Sequence, residues 1–306
     1  MSRYNDISIK KLVKWINKEY LLPDIQRPFV WWNNRNEFEE KVSSLFDSIL
    51  RNYPIWTLLF WKVDKKRIDD DNLNPLEFLN ISSKDKNDEF KNISHEKEYT
   101  LVLDWQQRMT IFNLVFNGYF EDTFRNKLRK RNLYFNVLKD FNDLDEEDEN
   151  IYEFKFFEES NWEYFEEDKK LWYIVKNAIN LESLSKKRKE IRLKFNLNSD
   201  LEDILEENLE SLKNSINEDN LSYYEISKSK KDDEALEIFV RVNSKWTVLG
   251  YSDLLFSKIT QFWKSEDNWE NARDIFYYFL KWDNNKWEIK WINRYWEGFN
   301  FTNDFI

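Results

Sequence analysis

The scarcity of glycine is the feature that most limits how this chain can turn. The sequence contains 3 Gly and 15 Trp. Average usage of about 7% predicts roughly 21 glycines in a chain of this length. Glycine supplies the positive φ values that tight turns and helix ends require, and other residues adopt them at a cost. The turns of this chain must therefore be built largely from residues that are unusual there.

Three tryptophans occupy places where a turn residue is expected. Trp105 follows the apolar run YTLVLD, Trp246 lies in NSKWT, and Trp56 lies in YPIWT before a strand pattern. One hypothesis is that these codons are UGA, which the source organism reads as glycine. The alternative is a genuine composition from an AT-rich genome, with its many Lys, Asn, Ile and Phe residues. UGG codons at the three positions would exclude the first hypothesis.

The bulk composition predicts a folded protein with an acidic surface. Of 306 residues, 41% are hydrophobic and 18% aromatic, which is enough for a packed core in one large domain or two ordinary ones. The formal net charge is −11. Because a surface that coats DNA is basic, any nucleic-acid contact must be local.

The residue inventory excludes several kinds of site. There is no cysteine, which removes disulfides, thiolate zinc sites and cysteine nucleophiles. The single histidine, His95, cannot build a histidine-rich metal site or an HNH-type nuclease, and no nucleophile-elbow pattern accompanies it. No run of 18 apolar residues and no signal peptide is present, so we expect a cytoplasmic protein without a membrane span.

Hydrophobic spacing predicts both helices and strands in the first half of the chain. Apolar residues at helical spacing predict one helix capped by Ser8 and others over 38–49 and 109–116. Short apolar runs predict strands. These runs are 57–63, 99–104, 133–137, 152–156 and 223–227.

The second half of the chain has a different pattern. From about residue 165 helical spacing dominates, including a helix that carries Leu171, Ile174 and Ile179. We therefore predict an α+β fold with a mixed sheet over 1–160 and a mainly helical region over 161–306. Residues 64–98 are polar and charged, and we predict a loop or insertion there.

The first polar motif is DIQRPFVW. Pro28 restricts Arg27 to an extended backbone, from which its planar guanidinium can reach a phosphate or carboxylate. Gln26 can donate and accept hydrogen bonds beside it. The alternative is that Arg27 forms a salt bridge with a helix face.

The second motif, LDWQQRMT, gives the strongest local signal. It joins the strand pattern that ends at Asp104 to the helix pattern that contains Met109. Ligands are often bound at such a junction, because helix N-terminal amides attract anions. Asp104 could bind Mg²⁺ or polarise water, and Arg108 could neutralise phosphate charge. The alternative is that Asp104 only caps the helix.

The third motif is FVRVNSKWT. Asn243 and Ser244 mark a helix end and a loop. Ser244, Lys245 and Thr247 can bind phosphate, although ordinary loop chemistry explains them equally well.

Taken together, IQRPFVW, LVLDWQQRMT and FVRVNSKWTVL with SDLL resemble the GmrSD-type restriction endonuclease N-terminal domain family. The likeness spans nearly the whole chain, and the combination of motifs is specific although each motif alone is not. In that family the second motif reads Asp-Gly-Gln-Gln-Arg, the third carries Gly where Trp246 stands, and Pro-Ile-Gly stands at Trp56. The three departures are of one kind, which favours the recoded-codon hypothesis.

The resemblance implies a ParB/sulfiredoxin-like fold that binds and hydrolyses a nucleoside triphosphate with Mg²⁺. It implies catalytic roles for Asp104, Gln107 and Arg108, with Asp104 also the metal ligand. The residues that it implies for nucleotide or phosphate binding are Gln26, Arg27, Gln106, Thr110, Asn243, Ser244 and Thr247.

The implied activity is coupled to cleavage of foreign or modified DNA. The implied partners are DNA and an HNH-type nuclease domain or subunit outside this chain, in a monomer or an oligomer. Two alternatives stay open, a direct DNA nuclease of ParB-like type and a non-catalytic module that senses a nucleotide or modified DNA. The ending WEGFNFTNDFI resembles the interior of a helical region, so we expect a fragment of a longer protein.

Overall fold

A computed structural model describes residues 4–23, 35–53, 57–70, 73, 75–82, 98–124, 127–140, 150–159, 162–230, 234, 235 and 238. The helices are α1 (Ile9–Trp15), α2 (Arg35–Leu50), α3 (Lys65–Asp70), α4 (Gln106–Phe116), α5 (Leu184–Phe195), α6 (Ser199–Asn217) and a 3-10 helix (Val175–Asn180). The strands are β1 (Tyr4–Ile7), β2 (Tyr20–Leu21), β3 (Leu58–Asp64), β4 (Ile81–Ser82), β5 (Glu98–Val102), β6 (Tyr119–Phe124), β7 (Lys127–Asn136), β8 (Phe154–Glu158), β9 (Tyr164–Glu167), β10 (Lys170–Ile174) and β11 (Leu221–Ile226). All of them belong to one compact unit.

The first sheet is mixed and has the strand order β1-β11-β3-β5-β2. Strand β3 is parallel to β11 on one side and antiparallel to β5 on the other. β3 and β5 are almost wholly buried, as expected for apolar strands in the interior of a sheet. This sheet and the helices around it confirm the predicted α+β class with a mixed sheet.

The second sheet has the order β4-β6-β7-β10-β9, with β8 paired to β7. Its long central strand β7 pairs antiparallel with β6 over 127–131, with β8 over 131–135 and with β10 over 134–136. The ring of Phe38, on the first part of α2, packs against Phe120 of β6 and Phe156 of β8. Phe46, on the last part of α2, packs against Phe112 of α4. Helix α2 therefore joins the second sheet to α4 through aromatic contacts.

A buried carboxylate fixes the connection into β8. Asp47 lies on α2 and is 3% exposed, yet its Oδ1 accepts hydrogen bonds from the backbone N–H groups of Ile151 at 2.9 Å and Tyr152 at 2.8 Å. Its Oδ2 lies 3.3 Å from Nη1 of Arg51. The helix thus supplies an acceptor for the buried N–H of Tyr152 and the partly buried N–H of Ile151.

Most of the predicted elements are present. Ser8 caps α1 and accepts a hydrogen bond from the N–H of Lys11 at 3.3 Å. The predicted helices at 38–49 and 109–116 are α2 and α4. The five predicted strands correspond to β3, β5, β7, β8 and β11, and β7 begins six residues earlier than expected.

The prediction of a helix through Leu171 and Ile174 is wrong. Both residues lie in β10, and only the following 3-10 helix is helical. β10 lies between β7 and β9 and its residues are buried on both faces. A run of apolar residues that is buried on both faces has no period of two, so it is easily mistaken for one face of a helix.

Part of the polar segment 64–98 belongs to the packed fold. Lys65–Asp70 forms α3, and Leu76 and Phe78 are each 1% exposed. Leu76 exchanges two backbone hydrogen bonds with Leu22. Residues 83–97, which include His95, lie outside the described residues. None of the helices in the described ranges is both long and apolar enough to span a bilayer.

Candidate functional site

The second motif lies where the sequence predicts, between a buried strand and a helix. β5 ends at Val102, and the N–H of Leu103 donates to the carbonyl of Leu59 on β3 at 2.9 Å. This bond holds the chain against β3 as it leaves the sheet. Asp104 follows at once, and α4 begins at Gln106.

Trp105 occupies the residue before α4 in a left-handed conformation, with φ 79° and ψ 10°. Helix N-cap residues normally have extended backbone and a side chain that accepts an N–H bond, and Trp105 has neither feature. A non-glycine residue in this region costs about 1–3 kcal/mol. Its side chain is nevertheless 6% exposed. The backbone at 105 is therefore suited to glycine, while the indole is packed as a core residue.

Other residues of positive φ show how unusual Trp105 is. Four of the six in the described chain are Asn or Asp, which tolerate this conformation. Trp105 and Lys169 are the others. The conformation of Trp105 agrees with the recoded-codon hypothesis at this position. Trp56 and Trp246 lie outside the described residues.

Asp104 is half-buried beside the first turn of α4. Its Oδ1 accepts the N–H of Trp105 at 2.7 Å. Burial raises the pKa of Asp104 above its ordinary value, while the bond from Trp105 and the charge of Arg108 oppose that rise. A capping carboxylate would accept from the second or third helical N–H, so this bond to its neighbour differs from ordinary capping.

Arg108 lies one turn beyond Asp104. Its guanidinium carbon is 4.4 Å from the centre of the Trp105 ring, which is a cation–π contact. Burial lowers the pKa of Arg108 from its ordinary value, and Asp104 opposes that shift. Arginine stays protonated in proteins. A guanidinium cation therefore lies near the Asp104 carboxyl group in a half-buried environment. The indole covers one face of the guanidinium.

The remaining residues of the motif divide by burial. Gln106 is 6% exposed and donates its side-chain amide to the carbonyl of Val102 at 3.4 Å. Thr110 is 3% exposed. Gln107, like Asp104 and Arg108, is half-buried. Gln106 and Thr110 therefore support the junction, and Asp104, Gln107 and Arg108 are the members with surface available to a ligand.

The junction has the chemistry of an anion site with one possible metal ligand. The N–H groups at the positive end of the α4 dipole and the charge of Arg108 both favour a phosphate. Among the described residues no group of three or more His, Cys, Asp or Glu could hold a metal. Mg²⁺ is commonly bound by one or two carboxylates together with substrate phosphates, so Asp104 fits a cation that arrives with a nucleotide.

Of the three motifs, the described residues include only the second, around Asp104. Gln26 and Arg27 of the first motif lie outside the described residues, as do Asn243, Ser244 and Thr247 of the third. Their proposed roles beside Asp104 remain predictions.

A surface depression that the sequence did not reveal lies at the opposite end of β5. It is lined by Asn5, Lys62, Glu98, Glu225, Ser227 and Lys228. Its charges are already paired, since Lys62 lies 3.1 Å from Glu225 and Lys228 lies 2.5 Å from Glu98. These residues neutralise one another, so the depression is a weaker candidate than the Asp104 junction.

The raised pKa of Asp104 predicts a pH-dependent stability change. Because the folded protein holds this proton more tightly than the unfolded chain, ionisation of Asp104 costs stability above its ordinary pKa of about 3.9. Asp104→Asn keeps an oxygen for the N–H of Trp105 and removes the charge. We expect a higher unfolding temperature than the parent at pH 7, with the gap closing as the pH falls below about 4.

Thermal unfolding across this pH range measures the effect. Asp203→Asn, at an exposed position of α6, is the matched control and should leave the unfolding temperature unchanged at every pH. A lower unfolding temperature for Asp104→Asn at pH 7 would mean that attraction to Arg108 outweighs burial.

One comparison with known proteins identifies a family. A family model described as "GmrSD restriction endonuclease, N-terminal domain" matches residues 9–260. The match covers the junction at Asp104 and the other two motifs. No curated protein matches the chain.

Proposed function

Because the chain belongs to the GmrSD restriction endonuclease N-terminal domain family, we propose that it binds and hydrolyses a nucleoside triphosphate in a system that restricts foreign or modified DNA. Nucleotide turnover would then regulate DNA cleavage by an HNH-type nuclease domain or subunit outside this chain. The observation that carries the proposal is the presence of a half-buried carboxylate, Asp104, and a half-buried guanidinium, Arg108, one turn apart at the start of α4.

Each residue of the junction has a chemical role in this proposal. The first N–H groups of α4 and the guanidinium of Arg108 bind the phosphate oxygens, on which negative charge grows during hydrolysis. Arg27 of the first motif adds a second cation. Asp104 and Gln107 orient the attacking water, and the raised pKa of Asp104 brings it closer to the range of a useful proton acceptor.

A magnesium ion bound with the nucleotide would neutralise phosphate charge. Asp104 is the residue that would hold it. Gln106 and Thr110 are buried beneath the site and keep the start of α4 in place. On the family resemblance, Gln26, Asn243, Ser244 and Thr247 are further proposed ligands of the nucleotide.

The contact between the Trp105 indole and the Arg108 guanidinium favours a second candidate function. With tryptophan at 105, the indole lies against the guanidinium that should meet the phosphate. A protein with this arrangement binds a nucleotide or modified DNA without turnover and transmits the signal to a partner. It would be a sensing module in the same restriction system.

A nucleotide panel separates these functions. Purified chain is incubated with ATP, GTP, CTP or UTP and Mg²⁺, and both phosphate release and nucleotide binding are measured. We expect turnover of at least one nucleotide. Saturable binding without turnover would favour the sensing module. Nicking of a plasmid with Mg²⁺ and no nucleotide would contradict both and favour a direct nuclease.

A further inference from the structure

Three aromatic side chains meet where the start of β9 approaches the end of α5. Tyr164 is the first residue of β9, Phe195 is the last residue of α5, and Trp162 lies two residues before the strand. The rings of Tyr164 and Phe195 are in edge contact, with their centres 5.9 Å apart and their planes at 66°. We call Trp162, Tyr164 and Phe195 the aromatic cage.

The aromatic cage surrounds an ammonium group in this structure. Nζ of Lys194 lies 4.4 Å from the centre of the Tyr164 ring. It also lies 5.3 Å from the centre of the Trp162 ring and 5.4 Å from that of Phe195. A cation within about 6 Å of a ring centre is attracted by the negative face of the ring. Three such contacts at one point define a site for a cation.

The site is accessible from solvent. Tyr164 is 6% exposed and forms its floor, whereas Phe195 is half-buried and Trp162 is 62% exposed. Lys194 is itself exposed, and no carboxylate in the described part of the chain forms a salt bridge with it. An exposed cation–π contact is weak, and fixing a lysine side chain costs rotamer entropy. A ligand can therefore displace Lys194.

The neighbouring charges hold the floor of the cage in place. Lys187 lies 5.6 Å from the centre of the Tyr164 ring, and its ammonium pairs with Glu163 at 2.8 Å and Glu190 at 3.0 Å. Glu190 also accepts the phenol hydrogen of Tyr164 at 2.6 Å. The charge of Lys187 is thus compensated by two carboxylates, and the Tyr164 ring is fixed beneath the site.

The cage does not depend on a position where the backbone favours glycine. Among the tryptophans that the structure describes, Trp105 alone has a positive φ. The conformation of Trp162 therefore does not call for glycine. Tyr164 and Phe195 supply two of the three rings whatever the codon at 162 encodes.

We propose that the aromatic cage binds a ligand with a trimethylammonium group, such as choline or a trimethylated lysine side chain, in exchange for Lys194. The primary ammonium of lysine is compact and strongly hydrated. A trimethylammonium group has no N–H to bind water and presents methyl groups to the rings, so it loses less hydration on entering. Aromatic cages are known for recognising quaternary ammonium groups.

The proposed ligand is distinct from the nucleotide. β9 is the end strand of the second sheet, whereas the Asp104 junction follows β5 of the first sheet. None of the cage residues belongs to the three polar motifs. The inference therefore stands or falls independently of nucleotide hydrolysis.

The test is a ligand-observed NMR titration of the chain at constant ionic strength. The probes are choline, Nε-trimethyllysine and the carbon isostere of choline, in which an uncharged carbon replaces the nitrogen. We expect at least one of the two cations to bind, and the isostere to bind at least about 10-fold more weakly than choline if choline is the ligand. Binding of choline assigns the site to a small molecule, and binding of trimethyllysine alone assigns it to a modified protein side chain.

Ring variants test the cage itself. Trp162→Leu and Phe195→Leu each remove one ring and should weaken binding by about 2- to 30-fold. Trp15→Leu is the matched control, since it removes the ring that lies 5.2 Å from Nζ of Lys14. It should keep the parental affinity.

Lys194→Ala empties the site without removing a ring. It should strengthen binding by about 2- to 5-fold, because the ligand no longer competes with the lysine. Lys189→Ala removes the same charge from an exposed position of α5 and should leave the affinity unchanged. Circular dichroism checks that each variant is folded. Unchanged or weaker binding in Lys194→Ala, equal binding of choline and its isostere, or no binding of either cation by the parent would each overturn the inference.

Discussion

Arg108→Ala is expected to lower the rate of nucleotide hydrolysis by about 10²–10³-fold. The guanidinium lies at the start of α4, where it would meet phosphate charge that grows as the bond to the leaving group breaks. A group that binds more tightly in the transition state than in the ground state lowers kcat, so we expect the loss mainly in kcat. Phosphate release under saturating nucleotide measures it.

Two variants separate this role from folding. Arg108→Lys keeps the charge but loses the planar fork, so we expect partial activity. Arg192→Ala removes an exposed arginine of α5 and should retain full activity. Thermal unfolding of each protein checks that the fold is intact. Equal kcat in Arg108→Ala and the parent, with both folded, would remove Arg108 from the mechanism.

The sequence predicted the junction at Asp104 because two independent signals agree there. The apolar run of β5 ends where polar residues begin, and the helical spacing that contains Met109 follows directly. Neither signal depends on distant parts of the chain. The positions of α1, α2, β3 and α4 were predicted for the same reason, since each has one buried face or is wholly buried.

Contacts between distant segments could not be predicted in this way. Asp47 lies among the apolar residues of α2, and nothing local indicates that it accepts hydrogen bonds from Ile151 and Tyr152, more than 100 residues away.

The left-handed backbone at Trp105 could be suspected from the composition and seen only in the structure. The scarcity of glycine shows that some turn must use another residue, but not which one. The φ of 79° identifies residue 105 as such a position. By contrast, Gly118 stands where a Cβ atom would lie 1.9 Å from the carbonyl oxygen of Asn80, so glycine is required there by close approach.

Trp105→Gly is expected to be more stable than Trp105→Ala by about 1 kcal/mol. Both variants lose the packing of the indole, which is 6% exposed. Both should therefore be less stable than the parent protein with Trp105. They differ in the backbone, since alanine keeps the cost of the left-handed conformation and glycine does not. The usual helical order of alanine over glycine is therefore reversed. Urea unfolding of the two proteins measures the difference.

A helical position provides the control for this reversal. Glu210 is exposed on α6, where Glu210→Ala should be more stable than Glu210→Gly by about 1 kcal/mol. If alanine is also the more stable residue at 105, the left-handed conformation does not govern this position, and the argument for a recoded glycine there fails.

Trp105→Gly also tests whether the indole restrains Arg108. A cation–π contact contributes about 0.5–2 kcal/mol, so its loss should raise the rate of nucleotide hydrolysis by about 2- to 30-fold if the guanidinium must leave the ring to meet the phosphate. Arg108→Ala combined with Trp105→Gly should abolish that gain. Unchanged or lower turnover in folded Trp105→Gly would show that the indole supports the site, and tryptophan would then be the functional residue at 105.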